Sequence, residues 1–284
     1  MDLDLKGVHV LVTGASGGIG LDITRIFLEQ GANVTAHFRS SDATLQPLRE
    51  VYDFERLRTA RASLSHEPDV QVLLDSISSS NSSFGPVEIL IVNHGAYTSA
   101  DVPLQDMTLQ QWNDTMNGNL TSSFLVAREY LRGLSRGIMS RGKGARFGER
   151  AAIILVGSTA GKYGEAGHAD YSACKSAIMY GLTMSLKNEI VKIAPNARVN
   201  CIAPGWTKTP MAEEALQQPM TVYRALATTP LKKVAEPEDI ANQIVLLASS
   251  KVSGHVTGQV LMIEGGMEGR LLNMPKDLEL PGEV

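Results

Sequence analysis

The stretch V-H-V-L-V-T-G-A-S-G-G-I-G, residues 8–20, decides how the chain is read. Its apolar run over residues 8–12 reads as a buried strand that ends at Thr13-Gly14. A glycine turn then leads into a segment with apolar residues at Ile19, Ile23, Ile26 and Phe27, closed by Gly31. That spacing is one face of a helix. Glycines let the backbone turn sharply and approach a ligand, and the amino end of the helix offers free N–H groups and a positive dipole to a pyrophosphate. Gly14, Gly18 and Gly20 give G-x-x-x-G-x-G, not the literal G-x-G-x-x-G; with Ser16 and Ile19 they make a candidate nucleotide loop. Such a loop elsewhere is only a tight turn. Directly after a first strand it points to nucleotide binding.

Outward from this unit the same alternation continues. Strands are expected at residues 33–38, 58–62, 88–92, 151–156, 198–202 and 259–263. Helices are expected at 42–57, loosened by Pro47, and at 68–80, 109–134, 171–193 and 237–248, the last opened by Pro237. The basic, Gly-rich residues 136–150 read as an exposed loop. Such alternation implies a doubly wound α/β fold, a parallel sheet of about seven strands with helices on both faces. One domain over residues 1–266 is expected, with a C-terminal extension at 267–284. Thr13, Asn93, Ser158 and Pro204 come at strand ends, so their loops converge on one crevice.

The totals narrow the function. With 284 residues and a formal charge of -4, the chain has no basic excess and no basic cluster interleaved with aromatics, so nucleic acid is not an expected partner. The start, M-D-L-D-L-K-G, is acidic, and no apolar run approaches the ~20 residues of a membrane span; a cytoplasmic protein without membrane contact is expected. Cys174 and Cys201 fall in apolar-patterned segments and read as buried free thiols. The six histidines lack the two-on-one-face spacing of a zinc site, so no metal is expected.

A second stretch carries the chemistry: G-S-T-A-G-K-Y-G-E-A-G-H-A-D-Y-S-A-C-K, residues 157–175. Tyr171 and Lys175 are four apart, on one helix face, where an ammonium stabilises a phenolate and lowers the tyrosine pKa towards working pH. The Gly-rich loop between them and Ser158 is long enough to bring that hydroxyl beside the phenol. Many solvated helices carry a Tyr and Lys at this spacing. Beside a nucleotide loop, the set suits proton donation to a carbonyl oxygen.

The two stretches together resemble the short-chain dehydrogenase/reductase family over about residues 7–266. The pattern T-G-x-x-x-G-x-G stands at residues 13–20, an N-x-x-G-like turn as N-H-G-A at 93–96, and an asparagine as Asn119 in N-G-N-L. Ser158, Tyr171-x-x-x-Lys175, Pro204-Gly205 and Thr209 follow in order. The resemblance implies a Rossmann-type sheet, Tyr171 as general acid/base, Lys175 lowering its pKa and binding the nicotinamide ribose, Ser158 holding the substrate oxygen, and Asn119 supporting a water-linked proton path. Asn93, Gly95, Pro204, Gly205, Thr207 and Thr209 would line the cofactor, and Ser63 would stand where relatives place an acidic residue against the adenine. Residues 206–230 resemble the mobile substrate lid. Homodimers or homotetramers are the assemblies the resemblance implies. His94 and Ala96 depart from the usual N-N-A-G turn, and His94 reads as a hydrogen-bonded structural residue.

Cofactor choice rests on the end of the second strand. A carboxylate there would bind the ribose 2′-hydroxyl of NAD; this chain has Phe38 followed by Arg39 and Ser40, a pair suited to a 2′-phosphate. NADP(H) is therefore the preferred cofactor and NAD(H) the second. The leading expectation is an NADPH-dependent reductase of a small-molecule ketone, running in reverse as an alcohol dehydrogenase. An NAD-linked polyol or hydroxy-compound dehydrogenase is the alternative. A non-catalytic redox sensor or scaffold is the reading from a different class.

Overall fold

The structure, a computed structural model, describes residues 1–78, 83–98, 100–141, 147–268 and 273–278. The opening unit is strand β1 (His9–Val12) and helix α1 (Gly18–Glu29), joined by the glycine turn. Gly14 has φ +64°, the left-handed region that glycine enters at least cost. At Gly20 a Cβ would sit 2.1 Å from the Gly14 carbonyl oxygen, so the helix can start this close to the strand only without a side chain there.

Strand β2 (Asn33–Phe38) follows, then α2 (Gln46–Val51), β3 (Leu57–Arg61), α3 (Glu67–Ile77) and β4 (Ile89–Val92). The helix expected over residues 42–57 is reduced to a 3-10 turn and α2. Pro47 lies in the first turn of α2, where its missing N–H costs nothing, and the chain leaves the helix at Tyr52 in an extended conformation. Arg56 then ties β3 back to α1, donating to the carbonyls of Leu28 and Ala32.

The next layer is α4 (Leu109–Met116), a π-helical turn at Asn117–Thr121, α5 (Ser122–Arg141) and β5 (Ala152–Val156). Helix α5 runs to Arg141, so residues 136–141 are helical where a loop is expected. Phe147 packs on it at Gly137, where a Cβ would lie 2.6 Å from the Phe147 ring. Residues 142–146 of the expected loop lie outside the described residues. Helices α6 (Ala160–Tyr163) and α7 (Ala169–Ser176), a second π-helical turn at Ala177–Leu182 and α8 (Thr183–Ile193) lead to β6 (Arg198–Pro204). The chain closes with α9 (Glu213–Leu216), α10 (Pro219–Leu226), α11 (Pro237–Ala248), α12 (Ser250–Ser253) and β7 (Val260–Ile263).

The described strands form one seven-stranded parallel sheet in the order β3-β2-β1-β4-β5-β6-β7. Alternate residues of each strand feed opposite faces. Ile89 and Ile91 join Val10, Ile154, Phe27 of α1 and Ile244 of α11 in one apolar layer. Leu90 joins Leu11, Ile153, Leu73 of α3, Tyr130 of α5 and Ile190 of α8 in the other. With both faces covered, a fully buried isoleucine or leucine contributes roughly 1.5–3 kcal/mol. The strand order reverses between β1 and β4, which opens a crevice at their carboxyl ends. Asn93 spans it, its N–H donating at 2.9 Å to the Thr13 hydroxyl and its side-chain amide to the Thr13 and Gly14 carbonyls.

Beyond β7 the chain returns to the end of α10. The Asn273 side chain, buried, donates to the carbonyls of Leu226 and Thr229 at 2.7 and 2.9 Å, and its N–H to that of Ala227 at 2.8 Å. The Tyr163 hydroxyl donates to the Met267 carbonyl at 2.8 Å. This part of the extension therefore clasps the end of α10 in its own chain. No described helix is long and apolar enough to cross a membrane.

Candidate active site

Ser158 leaves the carboxyl end of β5, and Tyr171 and Lys175 lie on α7, which packs tightly against α6. At Gly161 a Cβ would come within 2.8 Å of the α7 backbone at Lys175 and Ser176, so glycine there permits the approach that folds the loop back on itself. Tyr171 is half-buried, and burial pushes its phenol up to about 12, opposed by a hydrogen bond with Ser158. Burial pushes Lys175 the other way, down to about 8. Its ammonium donates at 2.9 Å to the Val156 carbonyl and lies 5.5 Å from the centre of the Tyr171 ring. A tyrosine lowered by Lys175 is thus not what the free site holds. Desolvation is the largest influence on the phenol, which stays protonated near neutral pH, the state that a proton donor requires.

Asn119 sits, fully buried, in the π-helical turn between α4 and α5. Ser122 donates its N–H to the Asn117 carbonyl, five residues back, and the wider turn swings Asn119 towards the crevice. Its amide donates to the carbonyls of Ala96 and Thr115, both at 2.9 Å, and its oxygen accepts from the Ala96 N–H at 3.1 Å. A Cβ on Gly95 would lie 3.0 Å from that oxygen and 3.6 Å from the Lys175 nitrogen, which puts Asn119, Gly95 and Lys175 in one small space. Asp170 anchors the start of α7 from below, accepting from the Thr115 hydroxyl at 2.6 Å and the Tyr171 N–H at 2.8 Å.

The crevice also offers groups suited to a dinucleotide. Helix α1 has no capping side chain and no acidic residue in its first turn, leaving the N–H groups around Ser16, Gly18 and Ile19 clear for an anion. Thr209 closes over this loop, its methyl 2.9 Å from where a Gly18 Cβ would be. Pro204 ends β6, Gly205 follows it, and the Thr207 hydroxyl donates to the Gly205 carbonyl at 3.0 Å. Arg39 and Ser40 are exposed just past β2, and Arg39 forms no ion pair among the described residues. Arg61, opposite Phe38 in the β2–β3 register, donates to the Arg39 carbonyl at 3.2 Å and adds a second cation to this rim. Its alignment was invisible without strand pairing. Ser63 lies after β3, its N–H 3.3 Å from the Asp69 carboxylate.

His94 bridges Thr13 and Ser122, with its two ring nitrogens each 2.9 Å from a hydroxyl. Burial holds it down to about 3, so it is a neutral strut between β1 and α5. His37, held down to about 4 by burial, accepts from the Gly14 N–H at 3.2 Å and supports the glycine turn from behind. Among the described residues no group of three His, Cys, Asp or Glu is placed to hold a metal ion.

A further group was not singled out from the sequence. The Tyr97 ring meets the Tyr171 ring edge-on, centroids 5.0 Å apart, and stacks on His168 at 4.5 Å. The Tyr97 hydroxyl donates to Glu165 at 3.2 Å, and His168 pairs with Asp101 at 2.9 Å. Tyr97 follows the N-H-G-A turn directly, and that adjacency was the available signal.

Residues 14–268 match the profile of the family described as enoyl-(acyl carrier protein) reductase. A 3-oxoacyl-(acyl-carrier-protein) reductase FabG of Vibrio cholerae is 31% identical over 93% of this chain and 99% of its own length. A 3alpha-hydroxysteroid dehydrogenase of Mediterraneibacter gnavus is also 31% identical, over 93% and 98%. Among solved structures, a short-chain glucose/ribitol dehydrogenase from Brucella melitensis superposes with a TM-score of 0.80 at 28% identity, covering 95% of this chain and 100% of that one.

Proposed function

Because the chain belongs to the short-chain dehydrogenase/reductase family, oxidoreductases acting on hydroxyl and carbonyl groups, we propose that it is an NADPH-dependent ketone reductase. The observation that carries the reading is the gathering of Ser158 after β5 and Tyr171 on α7, with Lys175 and Asn119 sharing one small space behind them. When bound, NADPH supplies the hydride to the carbonyl carbon. Ser158 and Tyr171 hold the carbonyl oxygen by two hydroxyls, and Tyr171 passes its proton to that oxygen as the alkoxide develops. Lys175 holds positive charge near the resulting phenolate, and Asn119 orders the buried space behind Lys175 through which the proton is replaced. The reverse sequence oxidises an alcohol.

Preference for NADPH is supported by Arg39 and Arg61 at the exposed end of β2 and by Phe38 where a carboxylate would repel a 2′-phosphate. The family profile is named for an enoyl reductase, yet two hydroxyls converging on one point suit an oxygen acceptor better than a carbon. The relatives act, by their names, on 3-oxoacyl and steroid substrates, so likeness alone leaves the ketone open.

The test follows absorbance of the reduced nicotinamide with a panel of ketones and alcohols, NADPH and NADH run separately. Wild-type turnover is expected with NADPH in preference. Tyr171→Phe should bind NADPH and lose turnover by roughly a hundredfold or more; turnover equal to wild type would overturn the assignment.

A further inference from the structure

The Tyr97–Glu165 pair adjoins Tyr171, through the contact of the two tyrosine rings. Tyr97 lies edge-on to Tyr171, and its hydroxyl is spent on one oxygen of the Glu165 carboxylate. The other Glu165 oxygen takes no hydrogen bond among the described residues, and Glu165 is neither fully buried nor paired with a Lys or Arg. Its charge reaches the catalytic phenol, since Glu165 helps to raise the Tyr171 pKa. His168, which shares the Tyr97 stack, is already committed to Asp101. A carboxylate with one fixed and one open oxygen is therefore held by the residue that packs on the catalytic phenol.

We propose, building on the ketone-reductase reading, that Glu165 held by Tyr97 is the specificity-determining group of this site and selects ketones that carry a hydroxyl close to the reacting carbonyl over plain and anionic ones. The open oxygen accepts a hydrogen bond from that hydroxyl, a charge-assisted bond in a partly desolvated place. A plain ketone leaves the carboxylate without that donor, and a substrate carboxylate meets like charge.

The test compares three probes of similar size in the NADPH assay: butan-2-one, 4-hydroxybutan-2-one together with 3-hydroxybutan-2-one, and acetoacetate. For wild type, kcat/KM of at least one hydroxyketone should exceed that of butan-2-one by about tenfold or more, the range of a hydrogen bond to a charged group. Acetoacetate should fall below butan-2-one. In Glu165→Leu both ratios should collapse towards about one. In Glu165→Gln, which keeps an acceptor without the charge, the acetoacetate ratio alone should recover fully. Binding of NADPH, followed by its fluorescence, checks that each variant is folded, and if the leucine variant fails this check the glutamine variant decides by its acetoacetate ratio. Ratios unmoved by either substitution would overturn the role of Glu165 while leaving the reductase intact. No turnover of any ketone by wild type would overturn the reductase reading itself.

Discussion

The Lys175 ammonium stands 5.5 Å from the centre of the Tyr171 ring while it donates to the Val156 carbonyl at 2.9 Å. The buried cation is thus held by the backbone of β5, with no carboxylate paired to it among the described residues. Burial takes its pKa from 10.5 down to about 8. Below pH 8 the amine is charged in both folded and unfolded chains, and the folded state carries the full penalty; the penalty fades as pH rises towards 10.5. Lys175→Met should therefore stabilise the fold at pH 7 by about 1–3 kcal/mol while lowering kcat by roughly a hundredfold or more. Denaturant unfolding and turnover at the same pH check this pair, and a less stable variant would count against it.

Two buried histidines and a half-buried one set an acid limit. His9, between the Gly85 carbonyl and the Thr35 hydroxyl, and His37 are held down to about 4, and His94 to about 3, each chiefly by burial. All are neutral in the folded chain at pH 7 and would charge near 6.5 once unfolded. Stability is therefore full above pH 6.5 and falls as pH drops towards 4, each histidine adding about 1.4 kcal/mol per pH unit. His9→Gln should make the slope between pH 6 and 5 shallower by about one proton. Urea titrations at several pH values measure it.

Arg39→Ala should raise the Michaelis constant for NADPH by about tenfold and leave that for NADH within a factor of about two. Arg61→Ala should do the same more weakly, because its guanidinium is partly engaged with the Arg39 carbonyl. Initial-rate kinetics with both cofactors separate this from general damage to the fold, which would weaken both alike.

Asn273→Ala would strand the carbonyls of Leu226 and Thr229, which the side chain now satisfies. The expected cost is about 1–3 kcal/mol. Because those carbonyls close α10, limited proteolysis should then cut faster within residues 206–230, and the Michaelis constant for a ketone should rise more than that for NADPH. Unchanged cleavage would mean that Asn273 does not hold this segment.

Much of this architecture could be read from spacing. Val8 to Gly20 announces β1, the turn and α1, and the ends of β1, β4, β5 and β6 are marked by Thr13, Asn93, Ser158 and Pro204. Tyr171 and Lys175 were visible because helical spacing is local. Asn119 was reached only through resemblance: its position depends on a π-helical turn, and that turn is stabilised from outside the helix, where Asn119 bonds Ala96. A continuous helix over residues 109–134 is what local propensity favours. Tyr97, Glu165 and Arg61 were missed for a related reason, since each acquires its role from a partner on another element. The depressed Tyr171 pKa failed because sequence spacing carries no information on desolvation.

The Thr13–Asn93 bridge joins residues 80 apart in sequence, and it has a consequence for biosynthesis. Strand β1 acquires one neighbour early, from β2, but its other edge stays open until β4 has left the ribosome. Up to then Val10 and Val12 belong to an unpaired edge, a template for pairing with other nascent chains. The crevice does not exist in that interval, so no nucleotide can rescue the emerging half. Chaperone demand should therefore peak before Ile89 emerges and ease once the central pair of strands has met.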